Sequence, residues 1–255
     1  MQSMVKVRNV KLGEGIPKIA VPLMGRTNEE LIDDVKYLKT ISLDIVEWRI
    51  DYYKDVENIE KVKEILSELR AALEDIPLLV TFRTAREGGE KEITLEYYVE
   101  LNKAIAVTKN ADLIDVELFI GDNKVVKEIV DSAHQNGVKV IMSNHDFHST
   151  PSREEIISTL CKMQQLGADV PKIAVMPSTP DDVLELLSAT NEMRRDHGQT
   201  PVITISMGHL GIISRLAGET FGSALTFGSA KAASAPGQLQ ADELYKILKL
   251  ITAAK

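Results

Sequence analysis

Eight alternations of strand-like and helix-like segments within 255 residues predict a (β/α)8 barrel. Two absences narrow the choice. No GxGxxG fingerprint opens the first strand–helix unit and no P-loop occurs, which disfavours a doubly wound open sheet. No composition shift or linker divides the chain, so residues 1–255 read as a single domain, and 44% hydrophobic content is enough to fill one large core.

Taken in order, Val5 to Val10 and the turn at Gly13 to Gly15 form a short leading hairpin before the barrel. The first barrel strand is Lys18 to Met24, followed by a helical pattern over Asn28 to Lys39 with Thr27 as its N-cap. Asp44 to Asp51 is the next strand and Asn58 to Leu73 its helix; Leu78 to Arg83 and Leu95 to Thr108 make the third unit. Asp112 to Phe119 with Asn123 to Asn136, then Val138 to Asn144 with Arg153 to Leu166, continue the rhythm, and Gly167 is placed to end the last of these helices. The segment Val170 to Pro177, VPKIAVMP, is a short apolar run of the kind covered on both faces in a parallel sheet. Helix Asp181 to Arg195, strand Val202 to Met207, a short helix near Ile212 to Ala217, strand Ala224 to Gly228 and helix Asp242 to Ala253 complete the chain.

Composition excludes whole classes of partner. With 30 Lys+Arg against 38 Asp+Glu, a formal net charge of −8 and 5% aromatics, the chain lacks the basic footprint that nucleic acids or anionic membranes require. Cys161 is the single cysteine, so a disulfide framework is excluded, a reducing compartment is expected, and the residue itself reads as a small buried apolar group. Lys6, Arg8 and Lys11 precede any sustained apolar run, so no secretory signal is visible, and no stretch is long and apolar enough to span a bilayer. A cytoplasmic protein is the expectation.

Side chains on a strand alternate faces, so in a barrel one parity points inward and the other toward the helices. Glu47, Arg49 and Asp51 share one parity while Val46, Trp48 and Ile50 share the other. The same reading pairs Thr81 with Arg83, Asp115 with Glu117, Ser143 with His145 and Thr204 with Ser206, and it puts Lys172 on the sixth strand with Ala174 and Met176. If these parities face inward, carboxylates, arginines, a histidine and a lysine converge on one axis. Buried ions are costly unless paired, so such a convergence marks a site.

Plainer readings compete with this one. A lone lysine at a strand start can snorkel into water. Glu47 and Arg49 can neutralise each other without any functional role. Asp115 and Glu117 with His145 and His148 could ligate a metal, but the HDFH spacing puts the two histidines on opposite faces of an extended strand, and no metal is expected. His134 sits near a helix C-terminus, His197 and His209 in polar loops, and Trp48 has helix-facing parity; none is taken as functional. The Gly-, Ala- and Ser-rich run Gly218 to Gly237 is a flexible linker or, following the last strand, an active-site lid.

EWRID at Glu47 to Asp51, TFRTAREGG at Thr81 to Gly89, MSNHDF at Met142 to Phe147, PKIAVMP at Pro171 to Pro177, ISRLAGETFGSALTFG at Ile213 to Gly228 and SAPGQ at Ser234 to Gln238 resemble the type I 3-dehydroquinate dehydratases, in order and with spacing intact from about Val5 to the last helix. The resemblance implies a (β/α)8 barrel of the shikimate pathway, commonly dimeric. It implies that 3-dehydroquinate is dehydrated to 3-dehydroshikimate through a lysine imine, without metal or organic cofactor. On it, Lys172 forms the imine, His145 transfers protons and Glu87 orients or tunes His145. Glu47, Arg49, Arg83, Arg215, Ser234 and Gln238 fall at substrate-binding positions, with Arg215 on the carboxylate. Some family members carry a serine in the first strand where this chain has Pro22, so no hydroxyl contact is expected there.

The residue types suit that chemistry. An amine attacks a ketone only when neutral, and burial beside Arg83 or Arg215 favours that form. An imidazole is suited to take and return a proton near neutral pH. Closure of the Ser234 to Gln238 loop would exclude water. Another Schiff-base barrel, such as a class I aldolase, would use the same lysine and is separated by assaying carbon–carbon cleavage; a non-catalytic binding barrel is separated by any dehydration activity.

Overall fold

The computed structural model describes residues 4–231 and 234–254. Two short strands lead, β1 (Val5–Val7) and β2 (Val10–Leu12), paired antiparallel. Their turn lies at Arg8 and Asn9, not at Gly13 to Gly15 as expected from the glycines; Arg8 takes φ +52, a conformation held in place because its guanidinium pairs with Asp112 at 2.7 Å. Gly13 and Gly15, at φ +90 and +71, instead turn the chain out of the hairpin and into the barrel.

The repeating units follow as β3 (Lys18–Leu23), α1 (Asn28–Leu38), β4 (Ile45–Arg49), α2 (Ile59–Leu73), β5 (Leu78–Thr81), α3 (Leu95–Thr108), β6 (Leu113–Glu117), α4 (Asn123–Gln135), β7 (Lys139–Asp146), α5 (Arg153–Gln165), β8 (Val170–Val175) and α6 (Pro180–Asp196). The last two units are β9 (Ile203–Ser206) with α7 (Ile212–Leu216) and the extra turn α8 (Gly218–Phe221), then β10 (Leu225–Ser229), a two-residue strand β11 (Leu239–Gln240) and α9 (Ala241–Ala253). Helix starts are written in the sequence: Thr27, Asn58, Thr94 and Asp122 each accept a main-chain N–H of the first turn, and Ser152 and Thr179 form reciprocal capping boxes with Glu155 and Asp182. Gly167, at φ +95, follows α5 as read from the sequence.

Strands β3 to β10 run parallel in chain order, and β11 adds to the end of β10. A parallel bridge between Val202 and Ser223 closes the cylinder between β9 and β10, where the Ala224 N–H reaches the Val202 carbonyl at 2.8 Å and Ser223 Oγ accepts the Thr204 N–H at 3.1 Å. The fold is therefore the (β/α)8 barrel expected, and no helix among the described residues is long and apolar enough to cross a membrane.

Two apolar layers result from the alternation of side chains. Outside the strands, Val46, Trp48, Val80, Ile173 and Val175 meet the helices, with Trp48 edge-on to Tyr53. Inside, Ala20, Ile45, Leu79, Leu113, Ile141, Val170 and Ile203 fill the lower barrel, and Val7, Val10 and Leu12 of the hairpin pack onto them as a plug. One parity expectation fails here. Ile203, Ile205 and Met207 face the interior, while Thr204 Oγ1 bonds Thr190 of α6 at 2.7 Å and Ser206 lies on the same helix-facing parity. A hydroxyl costs little to bury once one partner is found, so it marks the inward face less reliably than a charge does. Cys161 is half-buried, not fully so, with Sγ 3.9 Å from Met193 Sδ.

The Gly218 to Gly237 run is neither linker nor lid as a whole, because α8 and β10 interrupt it; Ala232 and Ala233 lie outside the described residues. Gly222 to Ala224 link α8 to β10, and the longer loop is the segment after β10.

Candidate active site

Above the apolar plug the barrel interior turns polar, and Glu47, Arg49, Arg83, Glu87, His145, Lys172, Arg215, Ser234 and Gln238 all line one cavity of about 490 Å3 including its mouth. Strand register sets the ring. Thr81 of β5 stands opposite Arg49 of β4 and Asp115 of β6, and Ser143 of β7 stands between Glu117 of β6 and Lys172 of β8.

Lys172 is 4% exposed. Its Nζ sits 4.5 Å from the centre of the Phe227 ring and 3.8 Å from Asp115 Oδ2. Burial pushes its pKa below the ordinary lysine value; Asp115 and Glu47 oppose that shift, while Arg83 and Arg49 add to it. Arg83 is one of the two arginines the sequence offered for this shift, and Arg49 joins it.

Arg83 is the hub of the charged wall. Its guanidinium pairs with Asp115 at 2.8 Å, Glu117 at 2.9 Å and Glu87 at 3.4 Å, and donates to Ser143 Oγ at 2.9 Å. Glu117 is further filled by the Thr84 N–H and hydroxyl, at 2.9 and 2.8 Å. Asp115 and Glu117 are thus spent on an arginine. Among the described residues no cluster of three or more His, Cys, Asp or Glu has a metal-binding arrangement, and His148 is exposed, apart from the cavity that His145 lines. Glu47 and Arg49 do not neutralise each other as the simple reading held. Arg49 binds Asp51 through both carboxylate oxygens, at 2.9 and 2.8 Å, and Glu47 accepts the Thr81 hydroxyl at 2.9 Å. Asp51 lies in a 3-10 turn over Ile50–Tyr52, so β4 ends at Arg49 and Asp51 supports Arg49 from behind; it also accepts the N–H groups of Arg83 and Glu90.

His145 and Glu87 form a pair. Glu87 Oε2 lies 2.9 Å from His145 Nδ1 and accepts the His145 main-chain N–H at 3.0 Å. Burial, with Arg83, Lys172 and Arg49 nearby, holds the imidazole well below its ordinary pKa, so the ring is neutral. Glu87 is raised to about 7, by burial first and then by Glu117 and Asp115, against the pull of Arg83 and of an Asn144 hydrogen bond. The turn Ala85–Glu87 that aims Glu87 ends on Gly88 at φ +85, where a Cβ would come within 2.5 Å of the Phe147 ring. Phe147 in turn stacks at 6.4 Å on His145.

Arg215, on α7, is 2% exposed, yet its Nε and NH1 have no hydrogen-bond partner. NH2 donates to the Pro236 carbonyl at 2.9 Å, and burial lowers its pKa to about 10, so it remains a cation at neutral pH. A buried cation with open donors is a receptor for an anion. The loop above it is held by its own side chains: Gln238 accepts the Ser234 N–H at 2.9 Å and donates to Ser234 Oγ at 3.0 Å. Gly237, at φ +77, lies so close to Gly208 that a Cβ would stand 2.3 Å from the Gly208 carbonyl oxygen.

An apolar wall of Ala174, Ile205, Met207 and Phe227 completes the cavity. Of these, the sequence reading placed only Ala174 on the inward parity, with Lys172; for Ile205, Met207 and Phe227 the parity they share with the lower-barrel apolar groups was the available signal. A desolvated amine, a carboxylate-backed imidazole and an anion receptor lining one cavity can together carry imine chemistry on a small ketoacid.

Residues 19–255 match the family model described as type I 3-dehydroquinase. A 3-dehydroquinate dehydratase of Clostridium kluyveri is 66% identical over 253 residues, covering 99% of each chain, and one of Clostridium botulinum is 59% identical over 251 residues, covering 98% of each. The solved type I 3-dehydroquinate dehydratase of Clostridium difficile, crystallised with covalently modified comenic acid, has a TM-score of 0.96 at 55% identity, with 100% of this chain and 99% of that one covered. Agreement of sequence and fold over nearly the whole barrel places the chain in a known group: it belongs to the type I 3-dehydroquinase family.

Proposed function

We propose that this hydro-lyase dehydrates 3-dehydroquinate to 3-dehydroshikimate through an imine on Lys172, with His145 moving the protons and Glu87 orienting it. The observation that carries the reading is the placement of a desolvated lysine amine in one cavity with the His145–Glu87 pair and an underpaired Arg215.

The steps follow from the geometry. Arg215 binds the substrate carboxylate through Nε and NH1, fixing the ring relative to Lys172. Neutral Lys172 adds to the ketone, and the carbinolamine takes up one proton from solvent as it loses water to give the protonated imine, which draws electrons from the neighbouring carbon and acidifies its C–H. Ionised Glu87 accepts the Nδ1–H of His145, leaving the Nε2 lone pair to take that proton. The electron pair then expels the ring hydroxyl, to which His145 returns the proton, so a second water leaves. Hydrolysis of the protonated imine by water frees product and neutral amine and returns the proton to solvent. Glu47, Arg49, Arg83, Ser234 and Gln238 bind or frame the substrate, Arg83 doing so while holding the carboxylates around it. No metal or organic cofactor takes part. Pro22 stands opposite Glu47 in the β3–β4 register and offers no hydroxyl to the ring. The covalently modified comenic acid of the Clostridium difficile structure is in keeping with a nucleophile in that protein. We further propose a cytoplasmic homodimer, which light scattering of the purified protein tests.

Adding 3-dehydroquinate should produce the ultraviolet absorbance of a conjugated enone. Borohydride added during turnover should inactivate the enzyme and leave one secondary-amine adduct per chain, mapped between Val170 and Arg194; borohydride alone should do little. Lys172→Ala should lose adduct and activity together, and Lys172→Arg should fail as well because a guanidinium keeps its proton. An adduct on any other lysine, or carbon–carbon cleavage in place of dehydration, overturns the reading.

A further inference from the structure

Asp115 is fully buried at the centre of the barrel, and its two oxygens are used differently. Oδ1 accepts the Ser143 hydroxyl at 2.6 Å and is ion-paired with Arg83 NH2 at 2.8 Å, a contact without hydrogen-bond geometry. Oδ2 has no hydrogen-bond partner and lies 3.8 Å from Lys172 Nζ, and Asp115 is the one carboxylate within ion-pair distance of that nitrogen among the described residues. The neighbouring carboxylates are otherwise engaged, Glu117 by Arg83 and Thr84, Glu87 by His145 and Arg83.

We propose that Asp115 is a positioning residue, a fixed counter-ion whose Oδ2 receives the N–H of the cationic imine formed on Lys172. This rests on the Schiff-base reading above. At 3.8 Å the contact is too long to lock the free amine as an ammonium by a hydrogen bond, so the nitrogen stays available for attack. Once the nitrogen carries its single N–H and a permanent demand for positive charge, a small shift closes the bond, in a water-poor site where opposite charges interact strongly. Ser143 and Arg83 keep the carboxylate from following the amine earlier. The charged or titratable groups that also face Lys172 are Glu47 and Arg49 from β4, Arg83 from the end of β5 and His145 from β7.

The test is Asp115→Asn, which keeps shape and removes the charge. Turnover should fall by about two orders of magnitude with KM nearly unchanged, a reduction typical of losing a partner to transition-state charge. The alkaline limb of kcat should move to lower pH by about one unit, since an opposite charge at this range stabilises the protonated imine. Borohydride trapping of the variant at high pH should fall in parallel, while trapping of the wild type maps to Lys172. Ser143→Ala, which leaves the charge but frees Oδ1, should move the limb the same way by less, and stands in if Asp115→Asn does not fold. A wild-type alkaline limb and turnover in Asp115→Asn, or in Ser143→Ala when that is the soluble variant, would sink the counter-ion role while leaving the imine intact. Failure to trap Lys172 in the wild type removes the reading beneath it as well.

Discussion

On the proposed mechanism, Glu87 decides which nitrogen of His145 bears hydrogen. Above pH of about 7 the carboxylate accepts Nδ1–H and leaves Nε2 as base; below it the neutral carboxyl donates to Nδ1 and puts the hydrogen on Nε2, the wrong tautomer for abstraction. kcat should therefore rise through that region with unit slope, and Glu87→Gln should flatten this limb while lowering kcat tenfold or more. A wild-type acid limb in the variant assigns it to another group. Stability has the opposite sense. A carboxyl whose folded pKa is raised contributes stability fully present below its ordinary value of 4.5 and lost as pH rises through about 7, so denaturant midpoints should fall between pH 5 and 8 in the wild type and less in Glu87→Gln. His145→Ala should still form the imine, with proton abstraction slower by about two to four orders of magnitude, as single-turnover kinetics on the trapped species can show. Residues such as Lys172, Arg49 and Glu117 were legible in the sequence because a charge on a buried strand is expensive without a reason. Thr204 and Ser206 were not, since a hydroxyl is satisfied as readily by a helix as by the barrel interior.

At the level of elements, the turn Ala85–Glu87 is the part with least freedom. Gly88 needs both its positive φ and its missing side chain, so Gly88→Ala should cost about 1–3 kcal/mol of backbone and steric strain. kcat should fall more than thermal stability explains, because the strain is relieved by moving Glu87 off His145; an unchanged pH profile in that variant argues against it. Helix caps and strand order could be read directly from Thr27, Asn58 and Ser152 and from the apolar runs. Strand ends could not: β4 stops at Arg49 and β7 runs on to Asp146, because pairing with β8 extends through His145 and Asp146 whatever the local sequence prefers. The hairpin turn was misplaced for a related reason, an arginine at φ +52 being stabilised by Asp112 from far along the chain.

Across the whole molecule, chemistry and stability occupy opposite ends of the barrel. Leu12 is fully buried in the plug, so Leu12→Ala should lower stability by about 2–5 kcal/mol while leaving kcat of the folded fraction within about twofold. Because inner and outer layers run unbroken round the strands, we propose that the chain unfolds as one domain, with fluorescence of Trp48 and far-ultraviolet circular dichroism changing together.

One contact makes occupancy of the cavity visible from outside. Arg215 offers two of its nitrogens inward and a third to the Pro236 carbonyl, so a carboxylate that steadies the guanidinium also steadies the Ser234 to Gln238 loop. Resistance of that loop to proteolysis is then a binding assay that needs no turnover. It should give dissociation constants for Lys172→Ala, which cannot complete the reaction, and it should separate carboxylate inhibitors from their neutral isosteres, since only the former meet the open donors.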